Sequence, residues 1–278
     1  MLRTGAVPQP LYIARTHSSG AAAMIPNEIA VDRLWRSIRR EAESAVARDA
    51  VFGAALSLAV LDHPDFAHAL AHQIGMRFGK TPTDCERFAR VARDAFAAMP
   101  DLIDAASRDL QSIAVHDPAT TALLPPLLNF KGYVALQAWR VSNWLWREER
   151  RDLALLLQSL SSDQLQVSIH PSASIGTSVF LDHATGIIIG AHTMIGDEVT
   201  ILQNVTIGRK NSEPDRAPNI GRGAYLSAGS TLIGSVSVGD FAKIGAGAVV
   251  EQDVPAGCTA VGVPARLTNC PEPEQALL

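Results

Sequence analysis

In LDHATGIIIG, residues 181–190, an aspartate and a histidine stand side by side at the head of an apolar run. An imidazole has an unperturbed pKa of about 6.5, so His183 can take up a proton at neutral pH. A hydrogen-bonded structural histidine would suit the same position, and the residues alone leave both readings open. His63, His68 and His72 fall at helical spacing earlier in the chain, where two can share a face. A metal site there needs further ligands, which the sequence does not offer, so no metal is expected. His170, just before Pro171, and His192 read as structural or rim residues. Cys85, Cys258 and Cys270 are odd in number, with no pair at metal-ligand spacing. They read as reduced thiols of a cytoplasmic protein.

Whatever His183 does depends on the elements that hold it. The chain has 278 residues, 47% of them hydrophobic, with a formal net charge of -4. That is room for one large domain or two ordinary ones, with apolar surface enough for a core. No basic patch with interleaved aromatics is present, which argues against nucleic acid as a partner. No apolar run reaches membrane-spanning length. Residues 1–25 lack the apolar segment and cleavage site of a secretory leader and read as a mobile tail.

From about Pro26 to Asp163 apolar residues recur three and four apart. NEIAVDRLWRSIRREAESAVARD has Asn27 and Glu28 as start signals, and HPDFAHALAHQIGMRFG stops at Gly79. TPTDCERFARVARDAFAAMP opens on a Thr or Asp cap and ends before Pro100. DLIDAASRDLQSIAVHDP follows. PPLLNFKGYVALQAWRVSNWLWREERRDLALLLQSL is apolar on more than one side. Trp139, Trp144 and Trp146 are expected in the core.

From about Gln166 the period becomes six. Ile169, Ile175 and Leu181 lead the first hexads. Ile189, Ile195, Ile201 and Ile207 lead the next, and Ile220, Leu226, Leu232, Val238, Ile244 and Val250 lead the last. Helices repeat at about 3.6 and open strands at about 2, so neither gives this beat. It fits a triangular coil of short parallel strands, with the leads inward and glycine or small residues at the corners. Stacked turns then cover one another's edges. The expected class is α+β: an all-helical domain over 26–165, then a parallel β-helix over 166–267 and a C-terminal tail over 268–278. Register slips twice. Eight residues separate Ile187 from Ile195, and GRKNSEPDRAPN, residues 208–219, interrupts the coil. That polar segment should project as a loop, where a substrate can be met.

HDPATTALLPPLLNFKGYVALQAWR, followed by LDHATGIIIG, ILQNVTIG and VGVPAR, resembles the serine O-acetyltransferases among the left-handed parallel β-helix acyltransferases. The likeness runs from about Val31 to Leu267. The hexads alone mark the superfamily, which acylates sugars, antibiotics and amino acids; the helical segments are more specific. The resemblance implies a left-handed coil and a homo-oligomer, either a trimer or a dimer of trimers joined through the helical domains. It also implies acetyl transfer from acetyl-CoA, as co-substrate, to the L-serine hydroxyl, the first committed step of cysteine synthesis. Active sites would lie between neighbouring coils.

A serine hydroxyl is a weak nucleophile. Attack on a thioester needs a base, a donor for the oxyanion and a close approach. The DHATG histidine of the family maps to His183, the expected base, with Asp182 beside it. Asp117 and Asp182 match aspartates that contact the acceptor, through its ammonium group. Arg216, in PDRAP, matches the arginine at its carboxylate. The backbone around Ala228 and Ala246 would line the pantetheine arm, with Lys243 as a phosphate contact. CoA thiolate leaves readily, so direct transfer in a ternary complex is expected.

The sequence departs from this pattern on the acceptor side. The family's aspartate before IHP, which pairs with the histidine, is Ser168 here. A serine can hold the ring tautomer but brings no charge to stabilise imidazolium. Ala217 replaces the histidine after the arginine, and GRKNSEP, with Arg209, replaces a glycine-rich loop. Family members that bind cysteine synthase usually end in isoleucine; this chain ends in Leu278. Two other readings stay open: an acetyl-CoA-dependent acyltransferase for another small amino acid or amine, and a non-catalytic paralogue that binds a sulfhydrylase.

Overall fold

A computed structural model describes residues 26–120, 122–210 and 217–271. The expected mobile tail over 1–25, the candidate Arg216 and the chain end at Leu278 lie outside the described residues. The helical half runs α1 (Pro26–Arg48), α2 (Ala50–Leu56), a π-helical turn (Ser57–Leu61), α3 (Phe66–Phe78), α4 (Pro82–Ala98), α5 (Asp101–His116), α6 (Leu124–Asn129), α7 (Lys131–Arg147) and α8 (Arg151–Leu165). Its starts follow local chemistry. Asp65 Oδ1 accepts from His68 N at 2.8 Å and Thr81 Oγ1 from Asp84 N at 3.2 Å, each satisfying an orphan amide of α3 or α4. The long apolar run after Pro125 is three helices rather than one, because the chain turns at Phe130 and again at Glu149, which is left-handed (φ 57°). Trp139 and Trp144 are buried. Trp146 packs partly buried against the same core. Among the described residues no helix is long and apolar enough to cross a membrane.

Gln166, left-handed at φ 57°, turns the chain from α8 into the coil. Three sheets form the faces of a prism. The first face holds β1 (Val167–Ile169), β4 (Ile187–Ile189), β7 (Thr206–Gly208), β10 (Thr231–Ile233) and β13 (Val249–Val250). The second holds β2 (Ser174–Ile175), β5 (Met194–Ile195), β8 (Asn219–Ile220) and β11 (Ser237–Val238). The third holds β3 (Phe180–Leu181), β6 (Thr200–Ile201), β9 (Tyr225–Leu226), β12 (Lys243–Ile244), β14 (Thr259–Val261) and β15 (Arg266–Thr268). Every hexad lead from Ile169 to Val250 is buried. The stack is parallel, as the hexads require, until β15 returns antiparallel to β14. The expected α+β architecture, helices followed by a parallel β-helix, is the one observed.

Three expectations need correction. The first slip in register sits one step earlier than the spacing suggested. Ile169 pairs with Ile189, whereas Ile188 pairs with Thr206, so the first coil is two residues longer than the second. The surplus lies in the corner between Leu181 and Ile187. Three consecutive isoleucines hid this, since Ile187 and Ile189 both face inward. Corners are also not reserved for glycine and other small residues. Gly223, Gly229 and Gly247 are left-handed, but so are His192, Glu198, Asn204 and Phe241. Those side chains face solvent, and the buried ladders offset the roughly 1–2 kcal/mol that each left-handed residue costs. Finally, Cys258 and Cys270 form a disulfide, and only Cys85 is free. The two stand just outside the ends of β14 and β15, so the hairpin's fold-back brings them together. Spacing in the sequence could not reveal that antiparallel return.

A polar seam joins the two halves. Asp109 and Arg140, both buried, form an ion pair at 2.7 Å. Asp109 also accepts from Gln137 Nε2 (3.0 Å) and from Val179 N in the first coil (3.0 Å), while Arg140 Nη2 donates to Gly176 O (2.8 Å). Trp139 Nε1 donates to His170 O at 3.2 Å, and Asn143 Nδ2 to Pro171 O at 2.7 Å.

His63 and His72 meet at 4.9 Å between ring centroids beside the π-helical turn. Burial holds both below the ordinary 6.5, helped by the charge of His68 on His63 and of His63 on His72. The unfolded chain therefore binds protons at these rings, as pH drops through about 6.5, before the folded chain does. Their contribution to stability is full above that pH and is lost on acidification. The melting temperature is expected to fall between pH 7.5 and 5.5, and His72→Gln should flatten that slope in a thermal-shift titration.

Candidate active site

The extra-long corner Asp182–Gly186 presents His183. Its side chain is 73% exposed, and Nε2 lies 3.7 Å from Asp182 Oδ1. His183 and Ala184 are both left-handed, at φ 54° and 61°, and Gly186 follows at 77°. Short backbone bonds close the bend: Ala184 N to Asp182 O at 2.5 Å and Thr185 N to His183 O at 2.8 Å. Asp182 N is fixed by Ile201 O of the next coil at 2.8 Å. Two surplus residues thus lift an imidazole and a carboxylate together out of the prism wall.

The same edge continues down the coil, where the third face turns into the first. Asn204 N donates to Thr185 O (2.7 Å), Gly229 N to Gln203 O (2.9 Å) and Gly247 N to Ala228 O (2.9 Å). His183, Ala228 and Ala246 therefore stand at three levels of one edge. With parallel strands about 4.8 Å apart, the levels of His183 and Ala246 are separated by about 14 Å. The edge is open at its far end, since a Cβ placed on Gly247 would meet nothing within 4 Å. Lys243 is exposed on the adjoining third face, in β12.

Asp117 caps the C-terminus of α5, which packs against β3, the strand that leads into Asp182. Its Oδ1 accepts from Ala119 N at 2.7 Å. Ser168 sits on the outward side of β1. Its hydroxyl accepts from Gln158 Nε2 at 3.2 Å, so α8 supplies a partner that the sequence did not reveal. Ala217 is the first described residue after position 216. Also missed were Lys131 and Gly132, which meet the corner from α7. Both lie within the KGYVALQAWR segment, but nothing in its pattern pointed at His183.

His170 and His192 lie on a different corner from His183. Burial lowers the pKa of His170, with the charges of His192 and Arg209 adding to it. A cavity of about 540 Å³ between α5, α7 and the second face, lined by Trp139, Trp144 and Ile175 among others, includes none of the candidate residues. The His183 side chain is exposed at its corner of the single chain. Among the described residues, no group of three or more His, Cys, Asp or Glu could hold a metal ion.

Residues 34–138 match the family described as serine acetyltransferase, N-terminal. The serine acetyltransferase of Salmonella typhimurium strain LT2 is 39% identical over 239 residues, which span 86% of this chain and 88% of that protein. This chain belongs to the serine acetyltransferase family. Solved serine acetyltransferases share its fold. The soybean enzyme complexed with serine superposes with a TM-score of 0.83 at 38% identity, covering 86% of this chain and 99% of that one. A serine acetyltransferase in complex with CoA gives 0.82 at 35% identity, covering 86% and 100%. The chain is thus an acyltransferase of the serine acetyltransferase family.

Proposed function

We propose that this serine acetyltransferase moves the acetyl group of acetyl-CoA to the hydroxyl of L-serine, with His183 as general base. One observation carries the reading: His183 and the small-residue wall at Ala228 and Ala246 share a single edge of the prism. The relatives complexed with serine and with CoA support the two substrates. In this assignment the imidazole takes the hydroxyl proton as the serine oxygen bonds to the acetyl carbon. The carbon–sulfur bond then breaks, and the proton passes to the leaving thiolate. Asp182, 3.7 Å from His183 Nε2, supplies the negative charge beside the imidazolium that Ser168 lacks. Asp182 and Asp117 take the acceptor's ammonium group, and Arg216 its carboxylate. Ser168 helps order the acceptor side through Gln158. CoA lies along Ala228 and Ala246, with Lys243 near a phosphate.

A threefold assembly, as a trimer or dimer of trimers, would close the exposed edge with a neighbouring coil. We place the enzyme in the cytoplasm, in the first step of cysteine synthesis. A cysteine synthase partner would have to accept Leu278 where isoleucine is usual.

A thiol-release assay across L-serine, homoserine, threonine and small amines tests the reading. Saturable release fastest with L-serine is expected. Faster turnover of another acceptor, which Ala217 and Arg209 would explain, transfers the assignment to that compound. Silence with every acceptor, together with capture of a sulfhydrylase, would make the chain a non-catalytic paralogue.

A further inference from the structure

Among the described residues the His183 ring makes no side-chain hydrogen bond. Asp182 is 3.7 Å away, and Ser168 is engaged by Gln158. The ring therefore inherits its place from the backbone of its corner. That backbone is costly, with left-handed residues at both 183 and 184. Such strain persists only where the surroundings over-determine it.

The grip from outside the coil comes from the start of α7. Lys131 Nζ donates to Thr185 Oγ1 at 2.5 Å, two residues beyond His183, and to Gln166 Oε1 at 3.3 Å on the cap of α8. Gln166 O in turn accepts from Gly186 N at 2.8 Å. The next residue, Gly132, lies so near that a Cβ there would stand 2.2 Å from Leu181 O and 2.9 Å from Ala184 Cβ. The helix start presses on the entry to the corner, while the lysine ammonium pins its exit.

We propose that Lys131 is a positioning residue for acyl transfer: by clamping Thr185 to Gln166, it holds the His183 imidazole at the acceptor hydroxyl. This rests on His183 being the base. Lys131 touches no reactant and acts only through Thr185. In this chain the clamp provides the orientation that an aspartate at 168 would otherwise help to give.

The test compares Lys131→Met, Lys131→Arg, Thr185→Val and the Lys131→Met/Thr185→Val double variant in the full chain. Each loss variant is expected to lower kcat about 10-fold to 100-fold, since small misplacement of a reacting group is costly. The KM for acetyl-CoA and the melting temperature should hold. Lys131→Arg should recover most of kcat, and the double variant should fall no further than Lys131→Met, which already removes the contact to Thr185 along with the one to Gln166. Wild-type kcat in Lys131→Met, a rise in the KM for acetyl-CoA that accounts for the loss, or multiplicative losses in the double would overturn the proposal. If Lys131→Met does not fold, Thr185→Val decides, since it leaves the lysine in place. His183→Ala is assayed alongside: full activity there sinks the base assignment itself, whereas an inactive His183→Ala beside a normal Lys131→Met sinks only the clamp.

Discussion

His183→Ala is expected to lower kcat/KM for L-serine by about 10²–10⁴-fold, the usual worth of a positioned general base. The loss should fall on kcat, with the KM for acetyl-CoA little changed. The wall at Ala228 and Ala246, which we propose for CoA, lies further along the coil and has no contact with the imidazole. Stability should be unaffected, since the side chain is 73% exposed and stands 3.7 Å from the Asp182 carboxylate. Steady-state kinetics with each substrate varied, beside a thermal melt, check all three points. His183→Ala with wild-type kcat would remove the histidine from the chemistry. Loss of the melt would instead show that the corner, and not the base, had been broken.

The six-residue beat made the coil legible because each lead must turn inward once per face, leaving one apolar residue in six whatever else varies. The helical half was legible through caps such as Thr81 and breaks such as Pro100. What sequence could not give was anything set by return of the chain in space. Ile187, Ile188 and Ile189 are alike in type, so the position of the surplus residues was misread, although that surplus is what lifts His183 from the wall. Cys258 and Cys270 met only because β15 folds back on β14. Gln158, Lys131 and Gly132 reach the candidate site from helices that precede it by as many as 54 residues, and helical periodicity reports which face is buried, not which coil corner that face will touch. His183 itself stood out because an acid and an imidazole in an apolar run are chemically conspicuous. Its corner partners are ordinary residue types whose meaning lies in the docking of α7.

The seam that docks α7 contains one buried ion pair, and Asp109→Ala is expected to destabilise the protein far more than His183→Ala, Lys131→Met or His72→Gln. The substitution leaves the Arg140 guanidinium buried without its carboxylate and strips acceptors from Gln137 Nε2 and Val179 N. Breaking a buried pair from one side typically costs about 3–5 kcal/mol, because the uncompensated charge stays behind. For a protein of this size that corresponds to roughly 10 °C in melting temperature. Arg140→Met should cost less than Asp109→Ala, since Asp109 keeps Gln137 and Val179 as donors and the apolar side chain fills part of the volume. The Asp109→Leu/Arg140→Met pair should recover part of the loss. Full recovery is not expected, because Gly176 O and Val179 N still lose their partners across the seam. Activity should report the same break. Arg140 lies on α7, whose first residues, Lys131 and Gly132, seat the His183 corner, so Asp109→Ala assayed well below its melting temperature should still show a lowered kcat. A variant that melts early yet turns over normally would show that the seam carries stability alone, and that the corner finds its geometry without α7.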